Sequence, residues 1–563
     1  MTYKSRSLQR IAPILILLPI SCFWAFLFAY AADIPWMDDM ESFIYFQVKF
    51  LRAESILTKL EWLLKPNNEH RILFAKLVAA GMQALTGSVN FRWLILIASI
   101  WLVGIIFILY RVFRTIRVPL VAFLPVVLLL LHPQYYLITL SAVTSFQHQT
   151  TVALLFAVAY LLAKPGTGRL SGALGLQILA SFSMSSGLFG WVSGAGTLLV
   201  QRRFKEAIVW IGIGVVIIVL YVRGFANSQG NDTSISFFLQ HPHLVFLGFF
   251  TFSGALLDFF PSAPILPRSI LPTLAGFGLI GVLLWMLKRM LLPWPAASTQ
   301  PDARSVRRNF LVGAYGFILI NAVLIAFLRP RFGYSVMLIS NYTMYSSLLA
   351  ILLYLNGLSE FSRWDIQRKW ITVGLCLGLI VWSAMYFQSW TRVAERKQMF
   401  EAFSFNQKHN GVGLGATLGT PFAPAAKWWM DSAVAIGFYQ YPRAFYTPYE
   451  QDLLKPAVGQ PTTSINLLID EQPDYFSVQT EGWQVPEHLS NACFIAKSPE
   501  RTYLFPVPTL FNPTSFFLGR KVPVLRAQLL KTSLYPGTYQ LGILLSPVSG
   551  PAIQYLKQHI TVR

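Results

Sequence analysis

The chain has 563 residues, 55% of them hydrophobic and only 12% charged, with a formal net charge of +21, and its mean hydropathy is +0.52. So apolar a composition excludes an ordinary soluble globular protein of this size and places most of the chain in a bilayer. The basic balance does not indicate nucleic acid binding, because Lys and Arg gather in short connections between apolar runs rather than on one soluble face.

Taken from the N-terminus, the basic start MTYKSRSLQR is followed by the apolar run IAPILILLPISCFWAFLF and then AYAA. This has the look of a signal peptide, but the run approaches span length and many more follow, so it is expected to stay as an uncleaved first span. With Lys4, Arg6 and Arg10 on the cytoplasmic side, the next stretch, DIPWMDDMESFIYF at 33–46, emerges on the outer side. Further apolar runs of span character lie near 93–110, 118–132, 150–163, 206–222, 269–287, 309–328, 342–358 and 370–389. The basic connections between them, among them RVFRTIR at 111–117, QRRFK at 201–205 and SRWDIQRK at 362–369, all stay inside under two conditions. The run 72–87 must not cross, and the Gly- and Ser-rich stretch 170–200 must form a two-legged hairpin.

The expected fold is therefore a polytopic α-helical membrane protein with about eleven transmembrane helices and a cytoplasmic N-terminus. A transmembrane domain over 1–390, with a first outer loop at 33–90, leads into an aromatic-rich connector at 391–459. After it the runs INLLID, YFSVQT, YLFPV, VPVLRAQLL, YPGTYQLGILLS and IQYLKQHITV alternate with turn signals, which predicts an outer β-sandwich over 460–563. An outer β domain with this charge pattern suits a bacterial inner membrane facing a periplasm. Cys22, Cys376 and Cys493 are too far apart for a CxxC metal site and give no disulfide framework.

The first outer loop carries the chemistry. It reads as two surface helices, one over 36–52 with Asp38, Glu41 and Tyr45 on one face, the other over 69–87, entered through PNNEHR. Acidic residues also favour a helix's first turn simply through its dipole and free N–H groups. Three carboxylates within four residues at an apolar interface, followed by a second polar knot, point instead to a cavity, since such groups are costly near lipid.

This order of residues resembles the GT-C superfamily of membrane glycosyltransferases, nearest to its protein mannosyltransferase and lipid A aminoarabinose transferase branch. The resemblance rests on the acidic cluster after the first span, the nearby Tyr45, the knot and helix of NNEHRILFAKLVAAGMQALTGSVNFRW, and the second span ending in basic residues. It extends over residues 1–200. The chain departs from that branch in having Glu69, His70 and Arg71 where consecutive prolines are usual, and Asp38-Asp39-Met40-Glu41 where an Asp-Glu pair is usual.

The resemblance implies transfer of a sugar from a polyprenyl-phosphate carrier to an acceptor hydroxyl of a cell-envelope glycan, glycolipid (lipopolysaccharide or O-antigen) or protein, at the outer face. A hydroxyl attacking an anomeric carbon needs a carboxylate base whose pKa a second carboxylate can raise. Asp39 is the expected base, Asp38 the alternate, and Glu41 a group that orients the acceptor or a cation. The departing lipid phosphate wants Arg or Lys at the membrane boundary, and Arg71, Lys76, Arg92, Arg329 and Arg331 are the candidates. Arg71 and Lys76 have a plainer reading as side chains that snorkel to headgroups; Arg329 and Arg331 end an outward-going span against the positive-inside trend.

Tyr45, Glu69, His70, His148 in SFQHQ and Tyr342 in NYTMYSS are candidate sugar or acceptor contacts, although each also fits a helix cap or a packed interface, as does His132. The trio of carboxylates suits a divalent cation, yet the resemblance implies metal independence for single-sugar carriers, so no cofactor is expected. GVGLGATLG at 411–419 has a GxGxxG-like spacing without the strand and helix that a nucleotide site requires. Trp428, Trp429, Tyr439, Tyr441 and Trp483 either stack on sugars or serve as core and interface residues. The competing function is a transporter, flippase, polymerase or ligase of lipid-linked sugars, with the acidic cluster as a coupling or binding site.

Overall fold

The computed structural model describes the chain except for residues 1–2, 226–230, 293, 295–299, 362, 456–464, 484, 487–488, 490, 512–516, 518–523 and 547–551. The chain packs as two compact units. One consists of Met1–Ala29, Leu63–Leu77 and Ile95–Tyr386, the other of Tyr30–Trp62, Val78–Leu94 and Phe387–Arg563.

Among the described residues seven helices are long and apolar enough to cross a membrane: Arg10–Tyr30, Phe91–Phe113, Leu120–Thr139, Phe204–Val222, Ile265–Leu291, Ala303–Leu328 and Trp364–Asn410. Several present apolar side chains outward, such as Ile208, Val216 and Val219 on one and Leu266, Leu274 and Leu284 on another, as lipid-facing helices must. The chain is a multi-pass membrane protein. Its full-length spans are fewer than the count expected from sequence. Helices do occupy the other four expected positions, at Thr151–Leu162, Thr167–Ser181, Phe189–Val200 and Ser340–Glu360. The first is the apolar part of a helical run that reaches back through Phe146–Thr150 to Ala142 and is diluted there by Gln147, His148 and Gln149, and the next two have 15 and 12 residues, short of the ~20 that cross ~30 Å of hydrocarbon. The fourth is diluted by Asn341, Ser346, Ser347 and Asn356. Leu73–Thr86 is a 14-residue apolar helix, about 21 Å long at 1.5 Å per residue and too short to cross.

Two features depart from the sequence reading. The stretch 223–268, read as an outer loop, contains the helices Ser234–Gln240 and Pro242–Ser253, which meet at 103°. Pro242 starts the second helix because its missing N–H is no loss there. This helix lies against Ile265–Leu291 at backbone contact: a Cβ on Gly276 would sit 1.8 Å from the carbonyl oxygen of Phe250, and one on Gly254 2.0 Å from that of Pro272. Phe250 stacks on Phe277 at 3.7 Å between ring centroids. Just beyond, buried Asp258 is held by Arg268 through Nε at 3.0 Å to both carboxylate oxygens and Nη2 at 2.5 Å.

A backbone oxygen cannot rotate away as a side chain can, so Gly276→Ala is expected to cost about 1–3 kcal/mol and to reduce the monodisperse fraction surviving a heat challenge in detergent. Gly278→Ala, with nothing within 4 Å of its Cβ, serves as the control; equal survival of the two variants would refute the close packing.

The second departure is the helix Trp364–Asn410, which has 47 residues and continues past the expected boundary at 390. Neither Gly nor Pro occurs between Gly378 and Gly411, and the helix ends only at Gly411, whose φ is +73°.

The C-terminal residues form seven strands: β1 Asn466–Glu471, β2 Tyr475–Glu481, β3 Asn491–Lys497, β4 Thr502–Pro506, β5 Arg526–Leu530, β6 Gly537–Ser546 and β7 Ile553–Val562. They make two sheets, β1-β2-β5 and β4-β3-β6-β7, with every pairing antiparallel. Phe476, Val478 and Leu529 of the first sheet share a core with Phe494, Tyr503, Leu541 and Ile543 of the second, a sandwich arrangement.

Strand β3, absent from the sequence reading, is buried on both faces. Its other side chains, Cys493 and Ile495, pack with Ala402 and Phe405 of the long helix, so NACFIAK lacks the alternation that marks a half-exposed strand. The helix also covers the edge strand β4. Asn406 donates to the carbonyl of Leu504 at 2.9 Å and accepts its N–H at 2.8 Å, and Asn410 donates to the carbonyl of Thr502 at 2.8 Å. Covering an edge in this way removes a template for unwanted pairing.

Candidate functional site

The acidic turn belongs to the unit that carries the sandwich. Trp36 stacks on Phe400 at 4.7 Å and on Phe403 at 6.3 Å between ring centroids. Met37 has a φ of +45° and donates its N–H to the carbonyl of Leu414 at 3.1 Å. The glycine-rich loop 411–419 is therefore a support for this turn: a Cβ on Gly415 would lie 2.4 Å from Met37 Cγ. A methionine in the left-handed region is uncommon, and such residues gather where function holds a backbone in place.

Asp39 is buried, 2% exposed, and its carboxylate accepts the N–H of Trp36 at 3.3 Å. Asp38 is exposed and Glu41 half-buried. Residues Met40–Tyr45 form a π-helical turn rather than the expected α-helix. The wider turn breaks the common face expected for Asp38, Glu41 and Tyr45. Tyr45 stacks on Trp429 at 5.2 Å and meets the edge of Trp62 at 5.6 Å, so Trp429 is here an aromatic packing partner. π-Turns make up well under 1% of residues and recur at functional sites. This chain has a second one at Phe146–Thr150, overlapping the SFQHQ stretch singled out from sequence.

Asp33 was missed by sequence reasoning. Its carboxylate accepts the N–H of Phe91 and the side-chain amide of Asn90, both at 2.6 Å, and Tyr439 donates to its carbonyl at 3.2 Å. It thus anchors the start of the loop to the start of the Phe91–Phe113 helix. The candidate cation Arg92 acts electrostatically on this carboxylate. Burial outweighs those bonds and pushes the Asp33 carboxyl up to about 6.

The folded state therefore holds this proton through a range where the unfolded chain, with its carboxyl near 4, has lost it. The contribution of Asp33 to stability is full below pH about 4 and falls away as pH rises to about 6. Infrared difference titration of wild type against Asp33→Asn is expected to reveal a carboxyl titrating near pH 6; one titrating near 4 would contradict the burial argument.

The polar knot belongs to the other unit. Asn67 and His70 exchange backbone hydrogen bonds at 2.7 and 2.9 Å, and Asn68 has a φ of +49°. This two-residue hairpin turn sets Glu69 at its tip. Glu69 pairs with Arg329 at 3.2 Å. His70 shares a hydrogen bond with Ser185 at 2.9 Å, and burial lowers its pKa to about 4 despite the attraction of Glu69, so the ring is neutral at physiological pH. His148 is buried and bonded to Tyr345 at 2.8 Å. The charge of Arg329 acts on His70, His148 and Tyr342 alike. Five candidates from distant stretches thus come together here: Glu69, His70, His148, Arg329 and Tyr342. Arg331 lies on the same short turn as Arg329, its guanidinium 4.7 Å from the ring centroid of Phe332. Ser185 and Tyr345 were not anticipated; Tyr345 stands within NYTMYSS but carried no separate signal.

Arg71 and Lys76 have other work in this conformation. Arg71 is 7% exposed and donates from Nε to the carbonyl of Tyr221 at 2.8 Å, from Nη1 to that of Leu64 and from Nη2 to that of Arg223. Lys76, 3% exposed, donates to the carbonyl of Lys65 at 2.8 Å. Both cations serve helix C-termini, at Leu64 and Val222, where carbonyls lack partners and the dipole is negative. His132 is buried and bonded to Ser347 at 3.3 Å, a packing role.

Among the described residues no group of three or more His, Cys, Asp or Glu is arranged to hold a metal ion. No family model, no curated protein and no solved structure matches this chain.

Proposed function

We propose that this chain is an integral-membrane glycosyltransferase that moves a monosaccharide from a polyprenyl-phosphate donor to a hydroxyl of an envelope glycan, glycolipid or protein, on the periplasmic side of a bacterial inner membrane. The observation that carries the reading is the meeting of Glu69, His70, His148, Arg329 and Tyr342 in one membrane unit. So many ionisable groups at membrane helix ends are costly unless they serve a polar ligand. The acidic segment has distinctive backbone of its own, with Met37 at a φ of +45° and a π-turn at Met40–Tyr45.

In this reading a first-loop carboxylate accepts the acceptor's hydroxyl proton as the oxygen attacks the anomeric carbon. The bond from that carbon to the phosphate oxygen breaks, and the lipid phosphate leaves with the electron pair. Arg329 is suited to balance its charge. Exposure favours Asp38 over Asp39 as the group that meets the acceptor, with Asp39 holding the turn through Trp36.

The test is transfer by purified protein from a panel of radiolabelled polyprenyl-phosphate sugars to envelope glycolipid, with Asp38→Asn and Asp39→Asn alongside wild type. Loss of transfer in one well-folded variant is the expected result. The bent helix pair Ser234–Gln240 and Pro242–Ser253 favours a second reading, since broken helices line substrate paths in transporters. Movement of lipid-linked sugar across proteoliposomes, with no transfer by wild type, would put that reading first.

A further inference from the structure

We propose that Glu69 is an internal occupant of an oxyanion site on Arg329: it holds the guanidinium in the resting protein and is displaced by a ligand phosphate. The inference rests on the glycosyltransferase reading for the source of that phosphate, and on the geometry of the pair for everything else.

A guanidinium offers Nε–H and one Nη2–H side by side, an edge that matches two oxygens of a carboxylate or phosphate. In this pair a single Glu69 oxygen, Oε2, takes Nη2 at 3.2 Å. The Nε of Arg329, on the same edge, is buried and has no hydrogen-bond partner among the described residues. A buried donor left so is costly, and its position marks where a second oxygen of a tetrahedral oxyanion belongs. Arg331 adds cationic character to that turn: both guanidinium groups lie over the ring of Phe332, at 5.9 Å for Arg329 and 4.7 Å for Arg331.

Glu69 is also placed to leave. The hydrogen bonds between Asn67 and His70 fix the backbone on either side of it, and His70 is tied to Ser185, while the Glu69 side chain is 46% exposed and Arg329 26%. Release therefore takes a side-chain rotation toward solvent with no movement of the loop, and a pair so exposed is weakly held. Its effect is to neutralise Arg329 until a phosphate arrives, so that a half-buried cation is not left uncompensated in an apolar unit.

Direct binding to the purified full-length protein in neutral-lipid nanodiscs tests this, with a prenyl monophosphate, inorganic phosphate and phosphatidylglycerol as separate probes. Glu69→Gln is expected to bind phosphate roughly two- to fivefold tighter than wild type, the worth of an exposed ion pair. Glu69→Asp, which keeps the charge but shortens the reach, is expected to share the gain. Arg329→Gln is expected to weaken binding, and Glu69→Gln is expected to add nothing in that background.

A gain confined to the prenyl phosphate supports a lipid-carrier site; a gain for inorganic phosphate or for phosphatidylglycerol supports the same oxyanion site with a free anion or a bilayer headgroup as its source. Wild-type binding that needs Arg329 but is unchanged or weakened in Glu69→Gln overturns the internal occupant and leaves the glycosyltransferase reading intact. Absence of prenyl-phosphate binding in wild type and in Glu69→Gln alike overturns the glycosyltransferase reading, and absence of binding for all three probes overturns the internal occupant as well.

Discussion

Asp38→Asn is expected to lower sugar transfer by about a hundred- to ten-thousandfold, the usual worth of a positioned general base, while leaving the melting temperature unchanged. The side chain is exposed and the amide keeps its shape, so the fold is expected to be retained. Asp39 is expected to behave differently, because its buried carboxylate caps its own turn through the N–H of Trp36. Asp39→Asn keeps an acceptor oxygen and is expected to be mild, whereas Asp39→Ala removes the cap at a cost of about 1 kcal/mol and releases the turn that presents Asp38. Rates for the three variants, each with a melting curve, separate the roles. Wild-type turnover by Asp38→Asn would end the assignment, and a rate lost in Asp39→Asn without loss of stability would hand the role of base to Asp39.

Arg71→Ala is expected to be the most destabilising single change within residues 33–90. The guanidinium joins the end of the helix Ile56–Leu64 to the end of Phe204–Val222 through the carbonyls of Leu64, Tyr221 and Arg223, and it lies over the rings of Tyr221 and Phe225 at 5.9 and 5.3 Å. Its removal leaves three carbonyls without a donor. At about 1 kcal/mol or more for each, the loss is about 3 kcal/mol, enough to deplete the folded protein in detergent. Arg71→Lys keeps the charge but not the planar set of donors, so it is expected to recover little. A side chain whose main duty was binding a lipid phosphate would give the opposite pattern: normal stability in both variants, and in the lysine variant a retained affinity for donor. Melting temperature and donor affinity measured together on the same samples decide between the two.

The contrast between Arg71 and Arg329 shows how far the residues of the site could be read from sequence. Both are arginines beside the membrane, and both were drawn to the candidate list by position and type. Nothing local distinguishes them, because the carbonyls that engage Arg71 lie as far away as Tyr221 and Arg223, and the carboxylate on Arg329 is Glu69. Asp33 escaped notice for the same reason: its partners Asn90 and Phe91 are remote in sequence, and a lone Asp after a span carries no motif.

By itself the sequence determined what depends on neighbours along the chain: the bilayer as solvent, the positions of the apolar helices, and six of the seven strands, each marked by its own periodicity or turn signals. It also drew attention to DIPWMDDMESFIYF and SFQHQ, though not to the π-turns at Met40–Tyr45 and Phe146–Thr150. Only the tertiary structure decided the rest. It revealed β3, whose alternation vanishes because both faces are covered, the bent helix pair packed on Gly254 and Gly276, and the grouping of Glu69, His70, His148, Arg329 and Tyr342. The physical reason is common to all three. Periodicity records how a segment meets solvent or lipid on its own, whereas burial on a second face and the partner of a charge depend on segments that the fold brings from elsewhere.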